Sequence, residues 1–167
     1  MLEKKIINIA VHGVGTIGKR HLMAMNENQN VNLSGIIDIS DEAKQFCDNK
    51  NIPIYENLID LRKKSEIDGV IISTPTILHY ENTLAALKLG LDVLIEKPIS
   101  ADVSEAQTIA KVAEENNCKV LVGHQRRFYP LVRKAKEIVK NGEIGKIIGL
   151  SGVWALRKDN DLSLIHI

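Results

Sequence analysis

The chain has 167 residues, of which 44% are hydrophobic and 26% are charged, a composition typical of one soluble globular domain rather than of a disordered, fibrous or membrane-spanning chain. Its 22 basic and 21 acidic residues are spread along the sequence and give a formal net charge of +1, which argues against a nucleic-acid or membrane partner. The two cysteines, Cys47 and Cys118, show neither metal-ligand spacing nor a disulfide framework, so we expect reduced thiols, no metal site and a cytoplasmic location.

Short apolar runs alternate with helical patterns as far as Gly123. The runs are rich in Val and Ile and lack polar alternation, which is typical of parallel strands covered by helices on both faces. Strands separated by helices form right-handed βαβ units, so the pattern predicts an α/β fold with a doubly wound parallel sheet. The predicted strands cover residues 6–11, 31–38, 69–73, 92–96 and 119–123, and the predicted helices cover 16–28, 41–49, 57–64, 77–89 and 102–116.

The pattern changes after Gly123. The segment HQRRFYP is polar and aromatic, and a basic amphipathic helix is predicted from Pro130 to Lys140. A turn and a strand over residues 146–156 are predicted next, and the glycines in this stretch make the strand atypical of the preceding sheet. We therefore predict one domain over residues 1–124 and the start of another over residues 125–161.

A glycine-rich turn with the sequence GVGTIG follows the first predicted strand and opens the first predicted helix. Gly13 permits the tight turn, Gly15 lets the backbone approach a pyrophosphate, and Gly18 allows the helix to lie close to the strand. Thr16 and Ile17 lie at the helix N-terminus, where free N–H groups and the positive end of the helix dipole attract phosphates. The turn predicts a dinucleotide-binding loop, with a purely structural glycine turn as the alternative.

Asp38 ends the second predicted strand, 20 residues after the last of these glycines. A carboxylate at this position accepts hydrogen bonds from the adenosine ribose and repels a 2′-phosphate. NAD is therefore the predicted cofactor, and NADP stays possible because of Lys19, Arg20 and Lys44, although a surface role is favoured for these cations. His12, just before the turn, could neighbour the phosphates, but the interpretation as a strand-end residue without a chemical role is favoured.

Three further motifs follow in order along the chain. The segments are STPTILH at 73–79, LIEKP at 94–98 and VGHQRRFYP at 122–130. With the glycine-rich turn they resemble the GxGxxG, TPxxxH, EKP and RF-type signatures of the Gfo/Idh/MocA oxidoreductase family, and the resemblance extends from residue 5 to about residue 158. It implies an NAD(P)-binding Rossmann domain followed by an α+β substrate domain, of which residues 125–161 would form the first helix and strand.

Thr74 and Pro75 end a predicted strand at the carboxyl edge of the sheet, where ligands bind in open α/β folds. Together with Ser73 they are predicted to line the dinucleotide groove, although a proline suits a strand end equally well. The family similarity implies a groove-side role for His79, with a helix-capping or surface histidine as the alternative.

Lys97 is the residue to which the resemblance assigns a catalytic role. A lysine ammonium near a substrate hydroxyl can donate a hydrogen bond to the developing alkoxide and favour hydride departure. Glu96 and Lys97 are expected beside the nicotinamide, with a surface ion pair between them as the alternative, and the resemblance implies a cis Lys97–Pro98 bond. Arg126 is expected near the nicotinamide or substrate, and Arg127 in a structural ion pair.

The resemblance implies a dehydrogenase that transfers hydride between NAD(P) and a secondary hydroxyl or ketone of a sugar, cyclitol or related polyol, in a full-length homo-oligomer. The family's acid/base histidine belongs to a DxxxH motif in the α+β domain, and this sequence lacks that motif. We therefore expect the chain to bind the cofactor without turnover. The alternatives are a non-catalytic NAD-binding sensor or regulator of the same fold and an independent single-domain nucleotide-binding module.

The end of the chain carries two further expectations. Trp154 and Arg157 could line the substrate side, and Trp154 suits simple sheet packing equally well. Residues 162–167, LSLIHI, match the translation of a transposon end used to attach sequencing adapters. They are predicted to be a non-native tail on a C-terminally truncated protein.

Overall fold

Six parallel strands in the order β3-β2-β1-β4-β5-β6 form the sheet around which the first part of the chain folds. The computed structural model describes residues 6–153 and 155, so Trp154, Arg157 and the predicted tail at 162–167 lie outside the described residues. The chain divides into two compact units, Met1–His124 and Gln125–Ile167. The sheet belongs to the first unit.

Strands and helices alternate through the first unit, which confirms the predicted doubly wound parallel sheet. Each predicted strand and helix of this unit is present, with bounds that differ by a few residues. The strands are β1 (Ile7–His12), β2 (Val31–Ile37), β3 (Ile54–Tyr55), β4 (Gly69–Ile72), β5 (Asp92–Ile95) and β6 (Val120–Val122), and the helices are α1 (Thr16–Asn26), α2 (Asp41–Asp48), α3 (Leu58–Lys64), α4 (His79–Lys88) and α5 (Val103–Glu115), with a short 3-10 helix (Thr76–Leu78) before α4.

Strand β3 is the one element of this sheet that the sequence pattern did not predict. It has only two residues, which pair in parallel with Ile36 and Ile37 of β2. Pro53 precedes it, and the Pro53 carbonyl accepts a hydrogen bond from the Ile36 N–H at 2.9 Å. A two-residue strand beside a proline is too short to produce a recognisable apolar run.

The sheet separates two apolar cores because successive side chains of a strand point to opposite faces. Ile36 and Ile37, adjacent on β2, are both fully buried but belong to different clusters. Ile36 packs with Ala43 and Cys47 of α2. The larger cluster contains Ile37 and buried residues of α3, α4 and α5, namely Leu58, Leu61, Ala86, Leu87, Ile109 and Ala113.

Side chains cap three of the helices at their N-termini. The Ser40 side chain accepts a hydrogen bond from the Ala43 N–H, Asn57 from the Asp60 N–H, and Asp102 from the Ser104 N–H. Each side chain satisfies one of the N–H groups that a helix start leaves without a partner. Helix α1 begins differently, because its N-cap residue is Gly15, which has no side chain to offer.

The second unit contains the predicted amphipathic helix, α6 (Pro130–Lys140), preceded by a 3-10 helix (Gln125–Phe128). The strand predicted over 146–156 is wrong for residues 146–153, which form no regular element and leave Ile148 95% exposed and Leu150 94% exposed. The apolar pattern indicates a strand, but a strand forms only with a hydrogen-bonded neighbour, and no described residue pairs with this segment. Among the helices that the structure describes, none has the length and apolar character needed to cross a membrane.

Replacement of Leu87 by Ala should lower the free energy of unfolding by about 3 kcal/mol, because Leu87 is fully buried between α4 and the sheet and its loss leaves a cavity. Urea denaturation followed by circular dichroism measures the change. Ile59→Ala is the matched control, since this side chain on α3 is 58% exposed and its removal should cost no more than about 0.5 kcal/mol. Equal losses in the two variants would contradict the assignment of the core.

Candidate functional site

The predicted site residues of the first unit lie along one edge of the sheet. All strands are parallel, so the loops that follow β1, β2, β4 and β5 leave from the same carboxyl edge. Strands β1 and β4 are neighbours although β2 and β3 lie between them in sequence, and ligands of open α/β sheets bind in the crevice at such a reversal of strand order. Gly13–Gly15 lie on the loop after β1 and residues 16–18 in the first turn of α1. The loops after β2, β4 and β5 carry Asp38, Ser73–Pro75 and Glu96–Pro98.

Two of the three glycines are required by contacts within the protein. Gly13 has a φ of +89°, and a Cβ atom there would lie 2.8 Å from the Thr74 amide nitrogen and 2.9 Å from the Ser73 carbonyl carbon. A Cβ atom on Gly18 would collide with the carbonyl oxygen of Gly13. These positions let β1, the turn and α1 lie close together against the loop after β4.

Gly15 is different, because no contact with the described residues requires a glycine there. Its φ of −63° is open to any residue, and apart from its neighbours in the chain no described residue has an atom within 4 Å of the place a Cβ would occupy. The free space adjoins the N-terminus of α1, which has no side-chain cap and no acidic residue in its first turn. Thr16 and Ile17 are exposed in that turn, so the loop fits the approach of a phosphate group to the backbone.

The Asp38 carboxylate is fixed beside this turn by three hydrogen bonds. Its Oδ2 accepts from the Val14 N–H at 2.9 Å, and its Oδ1 accepts from the Ser40 N–H at 2.9 Å and the Ser40 hydroxyl at 2.8 Å. Partial burial opposes ionisation, but the hydrogen bonds from Ser40 and Val14 outweigh it and hold the pKa of Asp38 below its ordinary value. The carboxylate is therefore charged, and Oδ2 keeps a lone pair for a further donor.

Two of the cations near the turn are already paired. Lys19 Nζ lies 3.2 Å from Glu42 Oε1 and 5.0 Å from the centre of the Phe46 ring. Lys44 Nζ lies 3.6 Å from Asp41 Oδ1. These contacts favour the surface interpretation of both lysines over a role in binding a 2′-phosphate.

Ser73 and Thr74 bind other parts of the protein. The Ser73 hydroxyl donates to the Gly13 carbonyl at 2.7 Å and so ties the loop after β4 to the glycine-rich turn. The Thr74 hydroxyl accepts from the Asn82 side chain at 3.2 Å, and Pro75 is exposed at the start of the 3-10 helix. The geometry gives Ser73 a part in shaping the loop, and direct contact of these residues with a cofactor stays a prediction.

His79 is only 1% exposed and joins two of the loops. Its Nδ1 lies 2.8 Å from the Pro98 carbonyl oxygen and its Nε2 lies 2.9 Å from the Thr74 carbonyl oxygen. A surface position is therefore excluded, and the side chain caps no helix, because α4 begins with Leu78 as N-cap and no side-chain cap hydrogen bond. His79 holds the loop that contains Thr74 against the loop that contains Lys97.

Lys97 and Glu96 do not form the surface ion pair that was the alternative. Lys97 is exposed and forms no ion pair with any described residue, whereas Glu96 Oε1 lies 2.9 Å from His21 Nε2. The Lys97–Pro98 bond is cis, as the resemblance implied. Sequence reasoning missed His21, although it lies three residues after Gly18, a spacing that puts both residues on one face of α1.

His12, at the end of β1, is the most strongly perturbed titratable group among the described residues near the turn. Burial lowers the pKa of its imidazole to about 4, and the nearby Asp38 charge opposes this shift without cancelling it. His12 is therefore neutral at pH 7.

The two arginines belong to the second unit, where both are exposed in the 3-10 helix Gln125–Phe128. The Arg126 carbonyl accepts a hydrogen bond from the Tyr129 N–H at 3.2 Å, and the expected contact of Arg126 with nicotinamide stays a prediction. Arg127 forms no ion pair with the described residues, so the structural ion pair expected for it is absent from that part of the chain.

Comparison with known proteins gives consistent matches. The model of the GFO_IDH_MocA oxidoreductase family, with its NAD-binding Rossmann fold, matches residues 7–124. Glucose-6-phosphate 3-dehydrogenase of Bacillus subtilis is 30% identical over 143 residues, which are 85% of this chain and 40% of that protein.

Two solved structures extend the comparison. Myo-inositol 2-dehydrogenase of Lactobacillus plantarum is 34% identical over 86% of this chain and 44% of its own, with a TM-score of 0.79. Scyllo-inositol dehydrogenase of Lactobacillus casei, solved with bound NAD(H) and scyllo-inositol, is 29% identical over 84% of this chain and 43% of its own, with a TM-score of 0.77. The chain thus spans less than half of the length of these relatives, and NAD, the cofactor predicted from Asp38, is the one named in the family description.

Substitution of single glycines by Ala should separate cofactor binding from folding. Gly15→Ala should change the free energy of unfolding by no more than about 1 kcal/mol and weaken NADH binding about tenfold, because a methyl group fills the space beside the helix N-terminus. Gly18→Ala should lower stability by about 2 kcal/mol or more, since backbone must move. Thermal denaturation and NADH fluorescence titration measure the two effects, and unchanged NADH affinity in Gly15→Ala would contradict the assignment of the turn.

The stability of the chain should fall as the pH is lowered from about 6.5 to 4. The unfolded chain protonates His12 near pH 6.5, whereas the folded chain resists this until about pH 4, so the unfolded state binds more protons in between. The lost stability should amount to about 3 kcal/mol at most. Urea denaturation at a series of pH values measures it, and His12→Asn should flatten the curve in this window. An identical slope in the variant would show that other groups cause it.

Proposed function

We propose that this chain, which belongs to the Gfo/Idh/MocA oxidoreductase family with its NAD-binding Rossmann fold, is the cofactor-binding half of an NAD-dependent dehydrogenase. The observation that carries the proposal is the turn at Gly13–Gly18. Its outer glycines serve packing, its central Gly15 leaves a free space at an uncapped helix N-terminus, and an ionised Asp38 accepts a hydrogen bond from the same turn. A space for a phosphate beside a carboxylate that can accept hydrogen bonds from ribose hydroxyls suits a dinucleotide.

NAD rather than NADP is the proposed cofactor because of the charges around Asp38. The hydrogen bonds keep the carboxylate charged, so it would repel the negatively charged 2′-phosphate of NADP bound beside it. Lys19, which could compensate, is engaged with Glu42 and Phe46. The free 2′-hydroxyl of NAD can instead donate to the carboxylate.

Lys97 is the proposed catalytic residue of this half. Its ammonium group is exposed, has no ion-pair partner among the described residues and follows β5 at the carboxyl edge. Bound NAD would supply the nicotinamide carbon that accepts a hydride. Lys97 would donate a hydrogen bond to the substrate hydroxyl and stabilise the negative charge that develops on its oxygen as the hydride leaves.

The proposed substrate is a secondary alcohol of a sugar, cyclitol or related polyol. The names of the matched relatives, a glucose-6-phosphate 3-dehydrogenase and two inositol dehydrogenases, support this class. The family resemblance assigns the base that accepts the hydroxyl proton to a DxxxH motif, which this sequence lacks. We therefore propose that the chain by itself binds NAD without appreciable turnover.

The proposal also includes a cytoplasmic location, which the free thiols of Cys47 and Cys118 support. It further includes a longer protein that forms a homo-oligomer.

Calorimetric titration of the purified chain with NADH and NADPH tests the cofactor. NADH should bind at least about tenfold more tightly, and Asp38→Asn should reduce this preference by removing the charge beside the ribose. Asp41→Asn is the control, because Asp41 is exposed and its ion pair within the described residues is with Lys44. Absence of NADH binding, or equal binding of both nucleotides, would overturn the proposed cofactor. Measurable oxidation of myo-inositol by the chain would overturn the proposed lack of turnover.

A further inference from the structure

The Glu96 carboxylate is enclosed on three sides, and each contact involves a different segment of the chain. Its Oε1 lies 2.9 Å from Nε2 of His21, on α1. Its Oε2 accepts a hydrogen bond of 3.3 Å from the backbone N–H of Lys97. On the third side it packs against Gly123, which follows β6.

Gly123 leaves room for this carboxylate because it has no side chain. A Cβ atom there would lie 2.9 Å from Glu96 Oε1, 3.1 Å from Cδ and 3.2 Å from Oε2. Gly123 does not have a φ in the left-handed region, so its backbone does not demand glycine. Its N–H donates to the Ile95 carbonyl at 2.8 Å, which fixes the end of β6 beside the end of β5. The sheet therefore fixes the position of the space that Gly123 leaves for the carboxylate.

The contact with His21 ties the Lys97 loop to the helix that begins at the glycine-rich turn. A carboxylate only accepts hydrogen bonds, so the His21 Nε2 atom carries the proton that it donates to Glu96. The side chains of His21 and Glu96 are 22% and 16% exposed, and neither is part of an apolar core cluster. They lie at the carboxyl edge, where their contact orients a loop.

We propose that His21 is a positioning residue for Lys97. By holding one oxygen of the Glu96 carboxylate, His21 turns the other oxygen toward the Lys97 N–H and so fixes the backbone from which the lysine side chain extends. The inference rests on the proposed function in one respect, namely that Lys97 faces the nicotinamide and the substrate hydroxyl. His21 itself touches neither, and it acts through Glu96.

Four variants of the complete chain separate positioning from folding. His21→Leu removes the donor but keeps side-chain bulk, and His21→Gln keeps an N–H donor at a similar reach. Gly123→Ala leaves His21 in place and pushes the flexible end of Glu96 away. Met23→Leu is the matched control, because Met23 lies on the same helix and is 67% exposed.

The readouts are the Lys97 amide resonance in the ¹H–¹⁵N correlation spectrum, the NADH dissociation constant and the midpoint of thermal denaturation. His21→Leu and Gly123→Ala should both move the Lys97 amide resonance. They should also weaken NADH binding about fivefold, because a displaced Lys97 would lose a contact beside the nicotinamide comparable to one hydrogen bond. His21→Gln should restore both values toward those of the unmodified chain, and Met23→Leu should change neither. Gly123→Ala should leave the denaturation midpoint within about 2 °C, because only a side-chain end must move.

The outcomes are distinct. An unmoved Lys97 amide in His21→Leu, or a His21→Gln variant that matches His21→Leu, would overturn the positioning role, and loss of stability alone would leave His21 as a structural residue. Failure of the unmodified chain to bind NADH would count against the proposed function. In that case the Lys97 amide resonance, measured in the absence of nucleotide, would still decide whether His21 fixes the Lys97 backbone.

Discussion

The close approach of the turn after β1 to the loop after β4 is the constraint on which the rest of the site depends. Gly13 lies against the backbone of Ser73 and Thr74 without room for a side chain, and the Ser73 hydroxyl donates to the Gly13 carbonyl. Gly18 packs closely against the same Gly13 carbonyl group, and this contact fixes the start and the direction of α1. Because α1 is set in this way, its N-terminus opens toward the crevice and His21 reaches Glu96.

The site residues divide into those that build the frame and those that the frame leaves available. Ser73 and His79 are bonded to backbone carbonyls of neighbouring loops, and His79 is buried. Gly15 and Lys97 form no such hydrogen bond with the described residues. Asp38 is held charged by its hydrogen bonds from Ser40 and Val14. Along one edge of the sheet the available groups are, in order, the Asp38 acceptor after β2, the space for an anion after β1 and the Lys97 cation after β5. The first two suit the ribose and the phosphates of a dinucleotide.

Much of the fold could be predicted because its signals are local, whereas the site depended on contacts between distant residues. Uniform apolar runs indicated the long strands, but β3 was too short and the strand at 146–156 had no neighbour to pair with among residues 6–153 and 155. The motifs located Asp38 and Lys97, yet no local pattern relates His21 to Glu96, which lies 75 residues away. The same limitation applies to His79, whose two partners belong to separate loops.

Gly15 is a position at which folding and ligand binding make separate demands. Gly13 and Gly18 are held by the protein's own packing, so selection for a stable fold preserves them whether or not a nucleotide is bound. Gly15 meets no atom of the described residues beyond its neighbours in the chain, and its φ is open to any residue, so the fold makes no demand for a glycine there. In a descendant that kept this fold but lost its cofactor, Gly15 would be free to change, whereas packing would still require glycines at positions 13 and 18.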